Sequence, residues 1–258
     1  MKNLALITGS TGGLGACFAE IHASNHNDVI LVSRDEAKLL KQKNELESKY
    51  KIKAYILAID LSKSNAAEEI YAFCINNNLD VEYLINNAGF GGQGEFIKRS
   101  MEADLSMIAV NIETPTKLCK LFINDFVKKG HGKVLNVSST AALMPGPLQA
   151  VYYATKSYLT SWSNALSREL KGTGVSVTCL MPGAMSTGFG KASGMDGTKA
   201  FKKLVKPNKV AENGYKGMIK GKLNVIAGLP LSQRIFVPFM PLMPKKMILN
   251  MAYNLQKK

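Results

Sequence analysis

The stretch LALITGSTGGLG, residues 4–15, decides the fold. Its first five residues, LALIT, are a continuous apolar run of strand length, as in a strand buried on both faces. Thr8 to Gly15 then carries glycines at 9, 12, 13 and 15, and the helical run ACFAEIHAS follows. Glycine reaches φ > 0 without steric cost, so the chain can turn tightly and bring backbone N–H groups up to a ligand. A helix starting on such a turn adds the partial positive charge of its N-terminus. Strand, glycine turn and helix in this order therefore suit an anion such as a pyrophosphate.

The rest of the chain repeats the alternation. VILVS (29–33), AYILAI (54–59), VEYLIN (81–86), KVLNVS (133–138), VSVTCL (175–180) and NVIA (224–227) read as strands. Amphipathic stretches such as DEAKLLKQKNELESKY and NAAEEIYAFCINNN lie between them. This pattern predicts an α/β fold: a single-domain, Rossmann-like, doubly wound parallel sheet of about seven strands with helices on both faces. Ligands of such sheets bind at the carboxyl ends of the strands. No repeat, low-complexity tract or linker divides residues 1–258, so one domain is expected. Residues 184–206, rich in Gly, Ser, Thr and Lys, read as a mobile substrate loop with short helical parts, and 229–258 as a tail.

Composition narrows the class further. Hydrophobic residues make up 46% and charged residues 20%, ordinary for a globular protein. No apolar run has the length of a membrane span, and no cleavage pattern follows MKNLALITGS, so no signal peptide is expected. Cys17, Cys74, Cys119 and Cys179 lack metal-ligand spacing; free thiols in the cytoplasm are the expectation, with no metal. The net charge of +14 is uneven: residues 171–258 carry 15 Lys/Arg against only Asp196 and Glu212. That excess is either a solvated surface or a field that attracts an anionic substrate or a membrane surface. No aromatic-interleaved basic patch suggests nucleic acid.

The second strand ends at Ser33-Arg34, where many NAD-binding folds carry an acid for the ribose 2′-hydroxyl. Serine does not repel a 2′-phosphate and arginine can hold one, which favours NADP (NADPH) over NAD.

VYYATKSYL, residues 151–159, sets two tyrosines before a lysine. On a helix turning ~100° per residue, Tyr152 lies ~40° from Lys156 and Tyr153 ~60° away on the other side. Both are neighbours of the lysine, so helical geometry alone prefers Tyr152 only slightly. A phenol with pKa near ~10 needs help to act at pH 7, and a nearby ammonium favours the phenolate. A hydroxyl must also hold the carbonyl oxygen beside it. Ser138 and Ser139 close the strand KVLNVSS at the edge where ligands bind.

These features together resemble the short-chain dehydrogenase/reductase family, in particular NADP-dependent bacterial enzymes related to hydroxysteroid and 3-oxoacyl reductases. The matching motifs are the TGxxxGxG turn, Asn86-Asn87-Ala88-Gly89 after the fourth strand, the N-x-S-S strand end and Tyr-x-Ala-Thr-Lys over residues 152–156. The resemblance covers about residues 3–187 and continues more loosely beyond. It implies Tyr152 as general acid/base with Lys156 as its partner, and leaves Tyr153 at the variable position. The family's thirteen-residue interval before the tyrosine selects Ser139 over Ser138, and Asn111 would anchor a water in a proton relay. The same resemblance assigns cofactor contacts to Gly9, Ser10, Thr11, Gly13, Leu14 and Gly15 of the turn, and to Ser33 and Arg34. Asp60 with Leu61 corresponds to the adenine-side segment; Asn87, Ala88 and Gly89 border the cofactor. Pro182, Gly183 and Thr187 correspond to the stretch beside the carboxamide.

Hydride transfer between nicotinamide and the carbonyl or secondary alcohol of a small-molecule substrate (a ketone, 3-oxoacyl or hydroxysteroid-like compound, anionic if the basic excess serves its capture) is thus the expected function, in a homodimer or homotetramer. A non-catalytic NADP sensor on the same fold and a membrane-surface reductase of lipidic substrates are the alternatives. The tail's PKKMILNMAYNLQKK places Met247, Ile248, Met251, Ala252 and Leu255 at helical spacing. It reads as a helix packed on the body or a partner, or as an interfacial helix or a greasy substrate mouth.

Overall fold

The computed structural model describes residues 3–201, 204–230 and 237–257. Lys202 and Lys203 of the expected loop, and 231–236 and 258 of the expected tail, lie outside them. The seven strands are β1 (Leu4–Thr8), β2 (Val29–Ser33), β3 (Ala54–Ala58), β4 (Val81–Asn86), β5 (Gly132–Val137), β6 (Val175–Pro182) and β7 (Asn224–Ala227). They form one sheet in the order β3-β2-β1-β4-β5-β6-β7, every pair parallel. The apolar runs of the sequence thus become the strands, with ends shifted by at most two residues.

The continuous apolar runs follow from cover on both faces. Alternate residues of a strand point to opposite sides. Leu4 and Leu6 of β1 pack on one side with Ile70, Phe122 and Phe126. Ala5 and Ile7 pack on the other with Phe18, Leu39 and Met218. The first face is covered by α3 (Ala66–Asn76), α5 (Thr114–Lys129) and α6 (Ala150–Glu169). The second is covered by α1 (Gly13–Ser24), α2 (Glu36–Tyr50) and α8 (Pro207–Ile219). The helix α4 (Met101–Ile108) precedes α5, the single turn α7 (Phe189–Ala192) follows β6, and α9 (Lys245–Gln256) is the last described helix.

Chain order reverses at β1, which has β2 on one side and β4 on the other. The loops after β1 and β4 therefore leave the sheet in different directions and open a crevice between them. The turn that fills this crevice is tight. Gly9 and Gly13 have φ of +65° and +51°, where glycine is favoured. Gly15 packs directly under the turn: a Cβ there would stand 2.1 Å from the Gly9 carbonyl oxygen and 2.6 Å from Asn87 Nδ2. Gly12 faces open space, with nothing within 4 Å of a Cβ.

Gly15→Ala should therefore lower stability by about 1–3 kcal/mol, the cost of overpacking a rigid site. Gly12→Ala should stay within about 0.5 kcal/mol of wild type, as for substitutions that touch nothing. Denaturant midpoints of the two variants check the contrast, and equal losses would contradict the packing described.

Candidate active site

The residues singled out from the sequence converge on one cavity of about 1220 Å³ at the carboxyl ends of the strands. Its cofactor half begins at α1. Among the described residues no side chain caps this helix, whose cap residue is Gly12, so none competes for the first-turn N–H groups. Gly9, Gly13, Leu14, Ser33, Arg34, Asp60 and Leu61 line this half. Asn87, Ala88, Gly89, Pro182, Gly183 and Thr187 line its inner side. Bonds from the Ser62 backbone N–H and hydroxyl hold the Asp60 carboxyl below its ordinary range, with the Arg34 charge adding to the effect. Arg34 itself is exposed at the end of β2.

Four of the sequence-selected residues support the cavity from behind. Ser10 is fully buried, and its carbonyl accepts from Gln42 Nε2 at 2.9 Å. Thr11 is tied to the Ser33 hydroxyl at 2.8 Å. Gly15 lies beneath the turn, as above. Asn111 is fully buried behind Phe90, bonded to both its N–H (3.1 Å) and its carbonyl (3.0 Å). Ser10, Thr11 and Gly15 are not among the residues that line the cavity.

Three supporting features were not selected from the sequence. The Thr8 hydroxyl accepts the backbone N–H groups of Asn87 and Ala88, both at 3.0 Å, and so ties the β1 turn to the β4 loop. Thr155 accepts from Asn111 Nδ2 at 3.0 Å and donates to the Tyr152 carbonyl at 2.7 Å. Asn111 also sits in a π-helical turn, Ala109–Glu113, between α4 and α5. Pro115 explains it: proline has no N–H to close the α-helical bond onto the Asn111 carbonyl, so the register widens there. A proline four residues after the asparagine was the available signal.

The helix α6 presents both tyrosines and the lysine, and it separates them. Ser138 turns away from the cavity's chemistry: its hydroxyl donates to the Lys156 carbonyl at 2.8 Å and pairs with Thr160 at 2.7 Å. Ser139 instead faces Tyr152, with its oxygen accepting from Ala141 N–H at 3.1 Å. Lys156 Nζ lies 5.9 Å from the Tyr152 ring centre and donates to the Val137 carbonyl at 2.9 Å. A Cβ on Gly89 would be 3.0 Å from Asn111 Oδ1 and 3.1 Å from Lys156 Nζ, so the absence of a side chain lets these three meet.

Burial dominates the electrostatics. It holds the Tyr152 phenol above its ordinary value, and a hydrogen bond with Ser139 pulls weakly the other way. It pushes the Lys156 ammonium down to about 8. In the protein without cofactor, burial thus favours the neutral form of the Tyr152 phenol. Tyr153 is raised by burial as well, and its hydroxyl accepts from Gln256 Nε2.

The substrate half is apolar and adaptable. Met144, Met195, Met251, Leu255 and Phe201 are among its lining residues, and Lys199 stands at its edge. The expected loop at 184–206 does contain short helical parts, but its ends are joined by a Met185–Val205 bridge. Among the described residues no helix is long and apolar enough to cross a membrane.

Residues 3–196 match the short chain dehydrogenase family, and the chain belongs to it. It is 30% identical over 191 residues to the very-long-chain 3-oxoacyl-CoA reductase of Homo sapiens, covering 72% of this chain and 61% of the relative. It is 34% identical over 218 residues to the enzyme of that name from Meyerozyma guilliermondii, covering 79% and 64%. The chain thus spans somewhat less than two thirds of the length of these curated relatives. A solved 7β-hydroxysteroid dehydrogenase structure superposes with a TM-score of 0.86 at 25% identity, over 97% of this chain and 96% of that one. A short-chain dehydrogenase from Sphingobium yanoikuyae in complex with NADPH gives 0.83 at 26% identity, over 92% of each chain.

The depressed Lys156 value makes a stability prediction. The folded value lies below the ordinary 10.5, so the buried cation destabilises the fold in full below pH 8, and that cost fades as pH rises towards 10.5. At this burial the cost is on the order of 3 kcal/mol, offset by about 1 kcal/mol from the bond to Val137. Lys156→Met should melt above wild type at pH 7, with the gap closing by pH 10. Thermal denaturation of ligand-free protein at the two pH values checks it, and a gap that widens with pH would overturn it.

Proposed function

We propose that the protein is an NADP-dependent reductase or dehydrogenase that interconverts a ketone and a secondary alcohol on a largely apolar substrate. The observation that carries the reading is the buried pair Tyr152 and Lys156 beside Ser139, facing the uncapped start of α1 across one cavity. The cavity fits the dinucleotide on the evidence of its backbone. The positive-φ glycines and the free helix start suit a pyrophosphate, and Arg34 with Ser33 suits a 2′-phosphate. The NADPH held by the Sphingobium yanoikuyae relative supports the same choice.

When bound, the cofactor supplies or takes the hydride. Tyr152 gives its proton to the carbonyl oxygen, or takes it back in oxidation. Ser139 donates to the same oxygen and fixes it beside the phenol. Lys156 carries a positive charge towards the phenolate left behind and holds the ribose hydroxyls. Asn111 anchors the water through which Tyr152 is reprotonated, by way of Lys156. The 3-oxoacyl-CoA and hydroxysteroid relatives, with the methionine-rich wall, point to a bulky or long-chain substrate. A sensor role would not need this set of four.

NADPH oxidation measured against small ketones, steroids and 3-oxoacyl thioesters tests the reading. Tyr152→Phe should lower kcat/KM by roughly 10²–10⁴-fold while keeping NADPH binding, and should cost far more than Tyr153→Phe. The reverse ranking would reject the assignment. Arg34→Asp should move the preference from NADPH towards NADH, and an unchanged ratio of kcat/KM would show that Arg34 does not read the phosphate.

A further inference from the structure

The second tyrosine of the YY pair is engaged with the last helix. α9 turns three residues inward at four-residue spacing: Ile248, Ala252 and Gln256, all at most 2% exposed. Two are apolar. The third is a buried amide with every polar group occupied. Gln256 Nε2 donates to Tyr153 Oη. Its Oε1 accepts from Gln149 Nε2 at 2.7 Å. Its backbone carbonyl accepts from Gln93 Nε2.

The groups that meet on Gln256 are themselves fixed. The Gln93 backbone N–H donates to the Ser193 carbonyl at 2.9 Å, and its carbonyl accepts from Arg99 Nη1. Arg99 is locked by a largely buried ion pair with Asp104 at 2.6 Å. Gln149 Nε2 also reaches Met195 Sδ at 2.9 Å. Three segments around the substrate half are thus tied to Gln256: residue 149 through the side-chain amide, residue 93 through the backbone carbonyl, and residue 195 by way of Gln149. The adjoining α9 residues Met251 and Leu255 line the cavity.

An apolar stripe alone tolerates sliding by a turn. A buried amide does not, because any other position leaves its donors and acceptors unpaired at low dielectric. We propose that Gln256, held by Tyr153 and Gln149, latches α9 in one register as a wall of the substrate cavity, making Tyr153 and Gln256 specificity-determining residues for extended apolar substrates. A small ketone reacts between Ser139 and Tyr152 without touching this wall. A long chain must lie along Met251 and Leu255, and gains from their fixed position. The inference rests on the ketone-reductase reading for its substrate and on the geometry alone for the latch.

Two readouts keep these apart. The first is hydrogen–deuterium exchange of residues 245–257 in the full-length protein without cofactor. Tyr153→Phe removes one acceptor at nearly constant volume and should speed exchange there about tenfold, with exchange of β4 and β5 unmoved. Gln256→Leu, which leaves Tyr153 Oη without its donor and Gln149 Nε2 with only Met195 Sδ, should do at least as much. The second is the ratio of kcat/KM for 2-undecanone over 2-butanone with NADPH, which should fall about tenfold in both variants, chiefly through KM for the long ketone. Unaltered exchange of α9 in both variants would overturn the latch. Faster exchange with an unaltered ratio would overturn the specificity role. If wild type reduces neither ketone, the reductase reading loses support, while the exchange result still decides the latch.

Discussion

Everything in the site depends on one close approach: the backbone of Gly9, the bare Cα of Gly15 and the side chain of Asn87 meet where no Cβ fits. Asn87 Nδ2 donates to the carbonyls of Thr8 (2.9 Å) and Gly9 (3.1 Å), while the Thr8 hydroxyl returns the contact to the β4 loop. These bonds join the ends of two adjacent strands whose loops would otherwise diverge. They fix the start of α1 against the floor of the crevice, and so set where an anionic group could lie relative to α6. A larger residue at Gly15 would move the helix, and the distance from turn to tyrosine would change with it.

The same tight packing produces the site's electrostatics. Lys156 is 4% exposed and Tyr152 is 8% exposed. Burial disfavours the charged form of both, so each is drawn towards neutrality from opposite directions. Their values therefore move apart from ordinary ones that are nearly equal, so in the protein without cofactor the phenol keeps its proton more firmly and the ammonium loses one more readily. The protein maintains this by spending stability on Lys156, held by a single carbonyl, Val137, among the described residues.

Much of this was legible in the sequence, for identifiable reasons. The strands could be read because a doubly covered parallel sheet needs uninterrupted apolar runs, and LALIT or VILVS satisfy that locally. The glycine turn could be read because its demand is on backbone conformation, which a few adjacent residues settle. Helical angle separated Tyr152 from Tyr153 only slightly, and the family's register decided between them. Their difference lies in what each faces: Ser139 for Tyr152, and for Tyr153 a glutamine 103 positions later. No local pattern encodes such a partner. The π-turn at Asn111 was missed although Pro115 signalled it, because a proline at a helix start is commonplace and its effect four residues back shows only when the carbonyl's surroundings are known.

The two halves of the cavity are therefore specified by different physics. The cofactor half is made largely of backbone: N–H groups at a helix start, positive-φ glycines and short loop ends. These requirements are local, and a diphosphate asks the same of any chain. The substrate half is made of side chains drawn from residues 90 to 256, whose proximity is a product of the whole fold. Its composition favours methionine and leucine, which adapt to many apolar shapes and specify none by themselves. Definition has to come from elsewhere, and in this wall the polar groups are the ones with strict geometric demands. A chain can thus keep its dinucleotide half nearly constant while changing substrate through a few buried amides and hydroxyls, since these decide where the surrounding apolar residues stand.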